Sequence, residues 1–262
     1  IIPYSTGTTT DVFGRLYALK LGEQLGQTII TENRVGAGGN IAADATARAA
    51  PDGYTLTLST SATHATNPSL YGKVSFDPIK DFTHITSLVS APNMLAINPK
   101  IPANNMAELI AYARANPGKL TYISAGSGTS PHMAGELLKT MANIDIRHVP
   151  YKNITQGFSD LFSGEVAMTF YHVPVIVPHV KAGKLILLDP GHQLGNSNPR
   201  FRKQMAQTFF NGAIVKACNT TGTATNAGAS VGIGATAAAG SGTAQGSASV
   251  GIGATAAKIG RA

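Results

Sequence analysis

The chain has 262 residues, 43% of them hydrophobic and only 13% charged, which allows a sizeable core and argues against wholesale disorder. Its +7 net charge is uneven: residues 1–188 hold 14 Lys/Arg against 12 Asp/Glu, a net of +2, while residues 189–262 hold six against one, a net of +5. The basic residues form no run and no aromatic-interleaved patch, so nucleic acid is not an expected partner, and the single Cys218 excludes an internal disulfide.

From Ile1 to about Leu188, β-like and α-like segments alternate. "IIPYS" reads as a strand, and "TGTTTD" as the turn after it. An amphipathic helix then places Phe13, Leu16, Tyr17, Leu21 and Leu25 on one face and ends at Gly26. "TIITEN" reads as the next strand. Asn40 is expected to cap a helix through Ala49, and "PDG" turns the chain into the strand "YTLTLS". "NMLAINP" is a strand and "NMAELIAYARANPG" a helix stopped by Pro117 and Gly118. "LTYIS" leads through "AGSGTSP" into the helix "HMAGELLKTMA", with Ser130 as the expected N-cap and Pro131 in the first turn. The strand "IRHVPY", the helix "ITQGFSDLFSG" and the strand "VAMTFY" follow. Strands separated by helices favour a parallel α/β sheet. No stretch of about 18 apolar residues occurs, so no membrane span is expected. The chain opens inside strand-like sequence with no signal peptide, so residues upstream of Ile1 are expected.

After Leu188 the composition changes. Residues 217–257 contain no charge and are dominated by Gly, Ala, Ser and Thr. "ASVGIGATAA" occurs at 229–238 and again at 248–257, a period of 19 residues. Two copies are fewer than the roughly three repeats that a solenoid needs, so residues from about Gly195 onward are expected to pack poorly.

"ENRVGAGGN" invites a dinucleotide-site reading and fails it. Gly36 and Gly38 fit the first two glycines of G-x-G-x-x-G, but Ile41 takes the third place. The following strand ends in Ser59 and Thr60 where a ribose-binding acid should stand, so the glycines read as a tight turn. "GASVG" at 228–232 matches a nucleophile elbow only within the repeat, without flanking strand or helix. The seven histidines form no metal-binding spacing, and His148 reads as a satisfied residue within a strand. No catalytic residue, metal or cofactor is therefore nominated.

Three hydroxyl- and glycine-rich turns stand between strands and helices: "STGTTTD", "STSATHATNPS" and "SAGSGTSPH". Free backbone N–H groups and a helix dipole favour an anion there. In a parallel sheet these turns gather at the carboxyl ends of the strands, where ligands bind. The candidate ligand residues are Ser5, Thr6, Gly7, Thr8 and Asp11 from the first turn. Ser61 and Asn67 come from the second. Ala125, Gly126, Ser127, Gly128, Thr129, Ser130 and His132 come from the third.

The ordered fragments "ENRVGAGGNIAADATARAAPDGYTL", "NPSLY", "DPIKDF", "SAGSGTSPHMAGELL", "HVPYK" and "PHVKAGKL" resemble the Bug-type receptors, the periplasmic solute-binding proteins of tripartite tricarboxylate transporters. The resemblance covers about residues 1–185. It implies a periplasmic-binding-protein, Venus flytrap fold of two α/β lobes, here incomplete at the C-terminus. The lobes would span 1–98 and 99–188, followed by the atypical tail 189–262. It further implies a small organic carboxylate as ligand, transporter membrane subunits as partners, a periplasmic location, a monomeric state, and neither a cofactor nor enzymatic activity. Two departures bear on the site. Thr8 stands where the family favours glycine, which would strain the turn if that position needed positive φ. Tyr171 and His172 replace an Asp-Asn pair. An α/β enzyme acting on a small phosphate or carboxylate, and a receptor whose reading frame changed near Leu185, remain open alternatives.

Overall fold

The computed structural model describes residues 1–188 and the backbone of 250–257. Helix α1 spans Thr9–Leu25. Thr8 is its N-cap, accepting from the Asp11 N–H at 3.2 Å, and Gly26 ends it at φ +64°. Only the first turn and Gly14 are buried on this helix. Leu16 and Leu25 of the expected apolar face are 49% and 61% exposed. Helix α2 is Asn40–Ala47 and enters from Gly39 in the left-handed region, so Asn40 is the first helical residue rather than the cap. Its side chain instead accepts from Asn67 at 2.6 Å.

"IIPYS" and "TIITEN" do not form full strands. Ile2 donates to the Glu32 carbonyl at 2.7 Å and accepts from Arg34 at 2.9 Å, making a single parallel bridge to Asn33. On the other side Leu58 donates to Ile1 at 3.1 Å. The Ile1 amine also donates to the Leu56 carbonyl at 2.6 Å, while Ile30 stands 87% exposed.

Two sheets organise the rest. The first contains β1 (Leu56–Thr60), β8 (Val250–Ala257) and β2 (Phe82–Ala91), with β8 central and antiparallel to both neighbours. The expectation that the tail packs poorly is therefore corrected for these eight residues, which belong to the second copy of the repeat; residues 189–249 and 258–262 lie outside the described residues. Strand β2 was not predicted. Register shifts between His84 and Thr86 and between Ser87 and Val89 break its two-residue periodicity, which is the signal sequence reading relies on. Between β1 and β2 the chain makes a π-helical turn over Ala62–Thr66 and the short helix α3 (Asn67–Leu70).

The second sheet has the order β5-β4-β6-β3-β7, from β3 (Asn93–Ile97), β4 (Leu120–Ser124), β5 (Ile146–Pro150), β6 (Met168–His172) and β7 (Ile186–Leu188). Strands β4–β5 and β4–β6 are parallel, but β3 is antiparallel to β6 and β7, so the sheet is mixed rather than parallel. The changeover between sheets falls between Ala91 and Asn93, where β2 passes directly into β3. Helices α4 (Met106–Ala115), α5 (Ser130–Ala142), α6 (Ile154–Ser163) and α7 (Val173–Lys181) flank this sheet. Met106, Leu109, Leu138 and Ile146 pack with Leu95, Tyr122 and Phe170 into its main core. Asn105 caps α4 by accepting from the Glu108 N–H at 2.9 Å. Helix α5 is capped at Thr129, one residue before the expected Ser130. This parallel core directs the carboxyl ends of β4 and β6, at Ser124 and His172, toward α5 and α7.

A central strand donates and accepts on both edges, so proline there breaks a ladder bond that no solvent replaces. Ala254→Pro should lose on the order of 1 kcal/mol or more. That corresponds to a fall in Tm of at least about 2–4 °C. A thermal melt indistinguishable from the parent would show that β8 contributes nothing to the sheet.

Candidate functional site

A cavity of ≈ 420 Å³ of empty space, part of it open solvent, lies between the two sheets where the first turns of α1 and α5 converge. From the first half of the chain it is lined by Tyr4, Thr8, Thr9, Thr10, Thr60, Ser61 and Ala62. Ala125, Thr129, Ser130, Pro131, Tyr171 and His172 complete it. No Asp, Glu, Lys or Arg is among these residues.

The two helix ends supply the electrostatics. The first turn of a helix leaves backbone N–H groups without intrahelical acceptors and carries the positive end of the dipole. Here α1 brings Thr9 and Thr10 to the cavity wall, and α5 brings Thr129 and Ser130. Thr8 sits at φ −70°, so the turn needs no left-handed residue there; Gly7 takes the positive φ, at +81°. The feared strain at Thr8 is therefore absent. Tyr4 is buried, with its hydroxyl 3.1 Å from Thr60 Oγ1 and donating to the Gly38 carbonyl at 3.3 Å. Burial pushes its phenol up to about 12, so it is a neutral hydroxyl at physiological pH.

Of the nominated residues, Thr8, Ser61, Ala125, Thr129 and Ser130 line the cavity; Ser5, Thr6, Gly7, Asp11, Asn67, Gly126, Ser127, Gly128 and His132 do not. Several of these build the frame. Asp11 accepts from Gly7 N–H at 3.1 Å, Arg15 Nε at 3.0 Å and Asn33 Nδ2 at 2.8 Å. Burial alone would raise its pKa, but these hydrogen bonds outweigh burial and hold the carboxyl below its usual value. Ser5 lends its carbonyl to the Thr8 hydroxyl at 2.9 Å, and Thr6 is exposed. Asn67, fully buried, donates to the Gly38 carbonyl at 3.1 Å and to Asn40. His132 Nδ1 accepts from the Gly128 N–H at 3.1 Å. His148 Nε2 lies 2.6 Å from Ser124 Oγ, and its ring stacks on Tyr122, so it is a satisfied residue.

The glycine loops press the two halves together. Gly38 has φ +63°, and a Cβ there would collide with the Ser127 carbonyl. A Cβ on Gly128, at φ +85°, would collide with Asn67 Oδ1. Tyr71 donates to the same Ser127 carbonyl at 3.4 Å. "GAGGN" and "GSG" thus serve close approach across the cleft. Sequence reasoning missed Tyr4, Thr9, Thr10, Thr60, Ala62 and Pro131 as wall residues, and it noted Tyr171 and His172 only as departures.

Two expected outcomes follow from this packing. Gly38→Ala should disfavour the closed approach and weaken ligand binding by at least about tenfold, roughly 1.4 kcal/mol. Ser127→Ala, which keeps the contacting carbonyl, should change it by less than about threefold. Calorimetry of both variants decides between this and a merely local role for the loop. Second, burial lowers His64, His148 and His172 to about 4 each from 6.5. The unfolded chain protonates these rings first, so their contribution is full above about pH 6.5 and is lost as pH falls toward about 4. The urea midpoint should drop steadily across that window; a flat profile would contradict the buried, neutral rings.

Comparison with known proteins agrees with this architecture. The family model described as tripartite tricarboxylate transporter family receptor matches residues 13–195. BugT of Bordetella pertussis is 35% identical over 186 residues, covering 71% of this chain and 57% of BugT. A solved structure described as a periplasmic transporter is 38% identical with a TM-score of 0.68, covering 71% of this chain and 63% of that one. Another, Rpa4515 of R. palustris with adipate, is 28% identical with a TM-score of 0.74, covering 98% and 75%. The chain spans 57% of the length of BugT and of a second curated relative. It has the periplasmic-binding-protein fold, and with the family model matched over most of its length, it belongs to the tripartite tricarboxylate transporter receptor family.

Proposed function

We propose that the chain is a periplasmic solute-binding receptor for a small organic carboxylate, which it delivers as a monomer to the membrane subunits of a tripartite tricarboxylate transporter. One observation carries the reading: the first turns of α1 and α5, from opposite sides of the cleft, meet at a cavity that has Thr9, Thr10 and Ser130 in its wall and no Asp, Glu, Lys or Arg among its described lining residues. Such a site offers an anion backbone N–H groups, two dipole ends and neutral donors. The two lobes would be about residues 1–98 and 99–188, with β3 contributing to the second sheet. The carboxylate would lie between Thr8–Thr10 on one side and Thr129–Ser130 on the other, with Ser61 at the rim. The adipate in Rpa4515 supports a carboxylate as the ligand class.

Binding is favoured over catalysis by the placement of the Ser–His and Thr–His pairs. Ser124, 2.6 Å from His148, is fully buried and outside the cavity wall. Thr9 and His172 do line the cavity, 3.0 Å apart, but among the described residues His172 Nε2 has no carboxylate to orient the ring as a general base. A thermal-shift screen of dicarboxylates, tricarboxylates, amino acids and aromatic acids tests the reading. A true ligand at 100 times its Kd should add about 2.7 kcal/mol of stability. If no acid raises Tm, the proposal fails.

A further inference from the structure

Helix α5 begins at the loop that reaches across the cleft, and His132 sits in its first turn, half-buried. The ring holds that loop: Nδ1 accepts from the Gly128 N–H at 3.1 Å. The loop in turn makes the contacts with the other side. The Ser127 carbonyl abuts Gly38 and accepts from Tyr71 at 3.4 Å, and Gly128 abuts Asn67. The start of the loop is tied down separately. Thr129 Oγ1 donates to the Gly126 carbonyl at 2.6 Å, and the Gly126 N–H donates to Ser124 Oγ at 3.1 Å. His132 thus governs the end of the loop that touches Asn67.

Protonation and this bond exclude each other. A ring nitrogen that accepts from a backbone N–H carries no proton, so the neutral ring has its hydrogen on Nε2. A second proton has only Nδ1 to go to, the lone pair that Gly128 occupies. Two N–H groups would then point at one another. Burial is the main influence on the ring and lowers its pKa from the ordinary 6.5; on the same helix Glu136 opposes this and Lys139 adds to it. The positive end of the α5 dipole also disfavours a cation in the first turn. From β5 the His148 ring stands 4.2 Å away, centroid to centroid, and burial lowers its pKa to about 4. From β4 the Tyr122 hydroxyl donates to the His132 carbonyl at 3.4 Å and to Glu136 at 2.6 Å, and burial keeps it protonated. Across the cleft the Tyr71 phenol, raised by burial, is likewise neutral.

We infer that His132 is a positioning residue that holds the Gly126–Gly128 loop only while its ring is neutral, so that taking up a proton releases Gly128, loosens the contact across the cleft and weakens ligand binding in acid. This rests on the carboxylate-receptor reading and adds a regulator to it. The lowered pKa sets the sign: binding is full above the ordinary 6.5 and is lost as pH falls through the folded-state value. Linkage makes the effect reciprocal, so a bound ligand that keeps the loop in place makes the ring harder to protonate by the same factor.

Two measurements between about pH 8 and about pH 5 test this. Without ligand, the Gly128 amide resonance in an NMR titration should move together with the His132 ring, with a midpoint below 6.5. In His132→Asn, whose Oδ1 reaches about the Nδ1 position and does not titrate, it should stay in place. Calorimetry with adipate as the probe gives the second readout. Between the two ends of the range the wild type should weaken by at least about threefold more than His132→Asn. The comparison cancels protonation of the adipate itself and of the other buried histidines. His132→Leu, which offers Gly128 no acceptor, should bind at least about threefold more weakly than His132→Asn at the alkaline end. A Gly128 resonance indifferent to the His132 titration, an Asn variant that weakens as steeply as the wild type, or a Leu variant that matches the Asn variant overturns the latch and leaves the receptor reading standing. A wild type that binds neither adipate nor any acid in the thermal-shift screen overturns both.

Discussion

Backbone meets backbone where Gly38 abuts the Ser127 carbonyl, and the geometry of the cavity depends on that contact. A side chain at either glycine loop would separate the halves by the width of a methyl group or more. Separation would part Asn67 from the Gly128 loop and Tyr71 from Ser127. It would also pull the first turn of α1 away from that of α5, and the cavity wall they share would come apart. Close packing makes this an all-or-none constraint, because a dense interface has no soft direction in which to absorb an added atom.

The site separates charge from contact. Asp11, the acid in the first turn of α1, is spent on Gly7, Arg15 and Asn33, which hold the helix entry in place. Among the described residues, the cavity itself is left to threonines, serines, tyrosines, alanines, a proline and a neutral histidine. A buried lysine or arginine would bind an anion more strongly, but would carry a large desolvation cost whenever the cleft stood empty. Hydroxyls and helix ends avoid that cost, since their dipoles are already fixed by the backbone.

Much of the second half of the fold was legible because its signals are local. Asn105 caps α4, and Pro131 marks the first turn of α5. The first half was read less well. β2 carries two register shifts that erase its alternation, and the segment 28–32 had strand-like residues but only one bridge nearby. For the site, the hydroxyl-rich turns pointed to the helix ends that meet at the cavity but could not say which residues line it. Asp11 and Asn67 looked like ligand groups because their side chains suit that task; the fold uses the same hydrogen bonds for itself. Tyr4 and Thr9 gave no signal, because their roles exist only by convergence. Thr9 meets His172 across 163 residues of chain. His172 stood out only as a departure from a resembling family, with no hint of its partner.

No formal charge stands among the described residues of the cavity wall, and this bears on how a ligand would arrive. Long-range attraction of an anion needs net positive potential, and such steering is what salt screens most strongly. Dipole ends and neutral donors act over a few ångströms, inside the distance at which mobile ions can intervene. A receptor built this way would capture its ligand at an unsteered rate and hold it nearly equally well in dilute and concentrated salt. In a compartment whose ionic strength follows the surroundings, that makes uptake depend on the solute's concentration and little on the salinity around it.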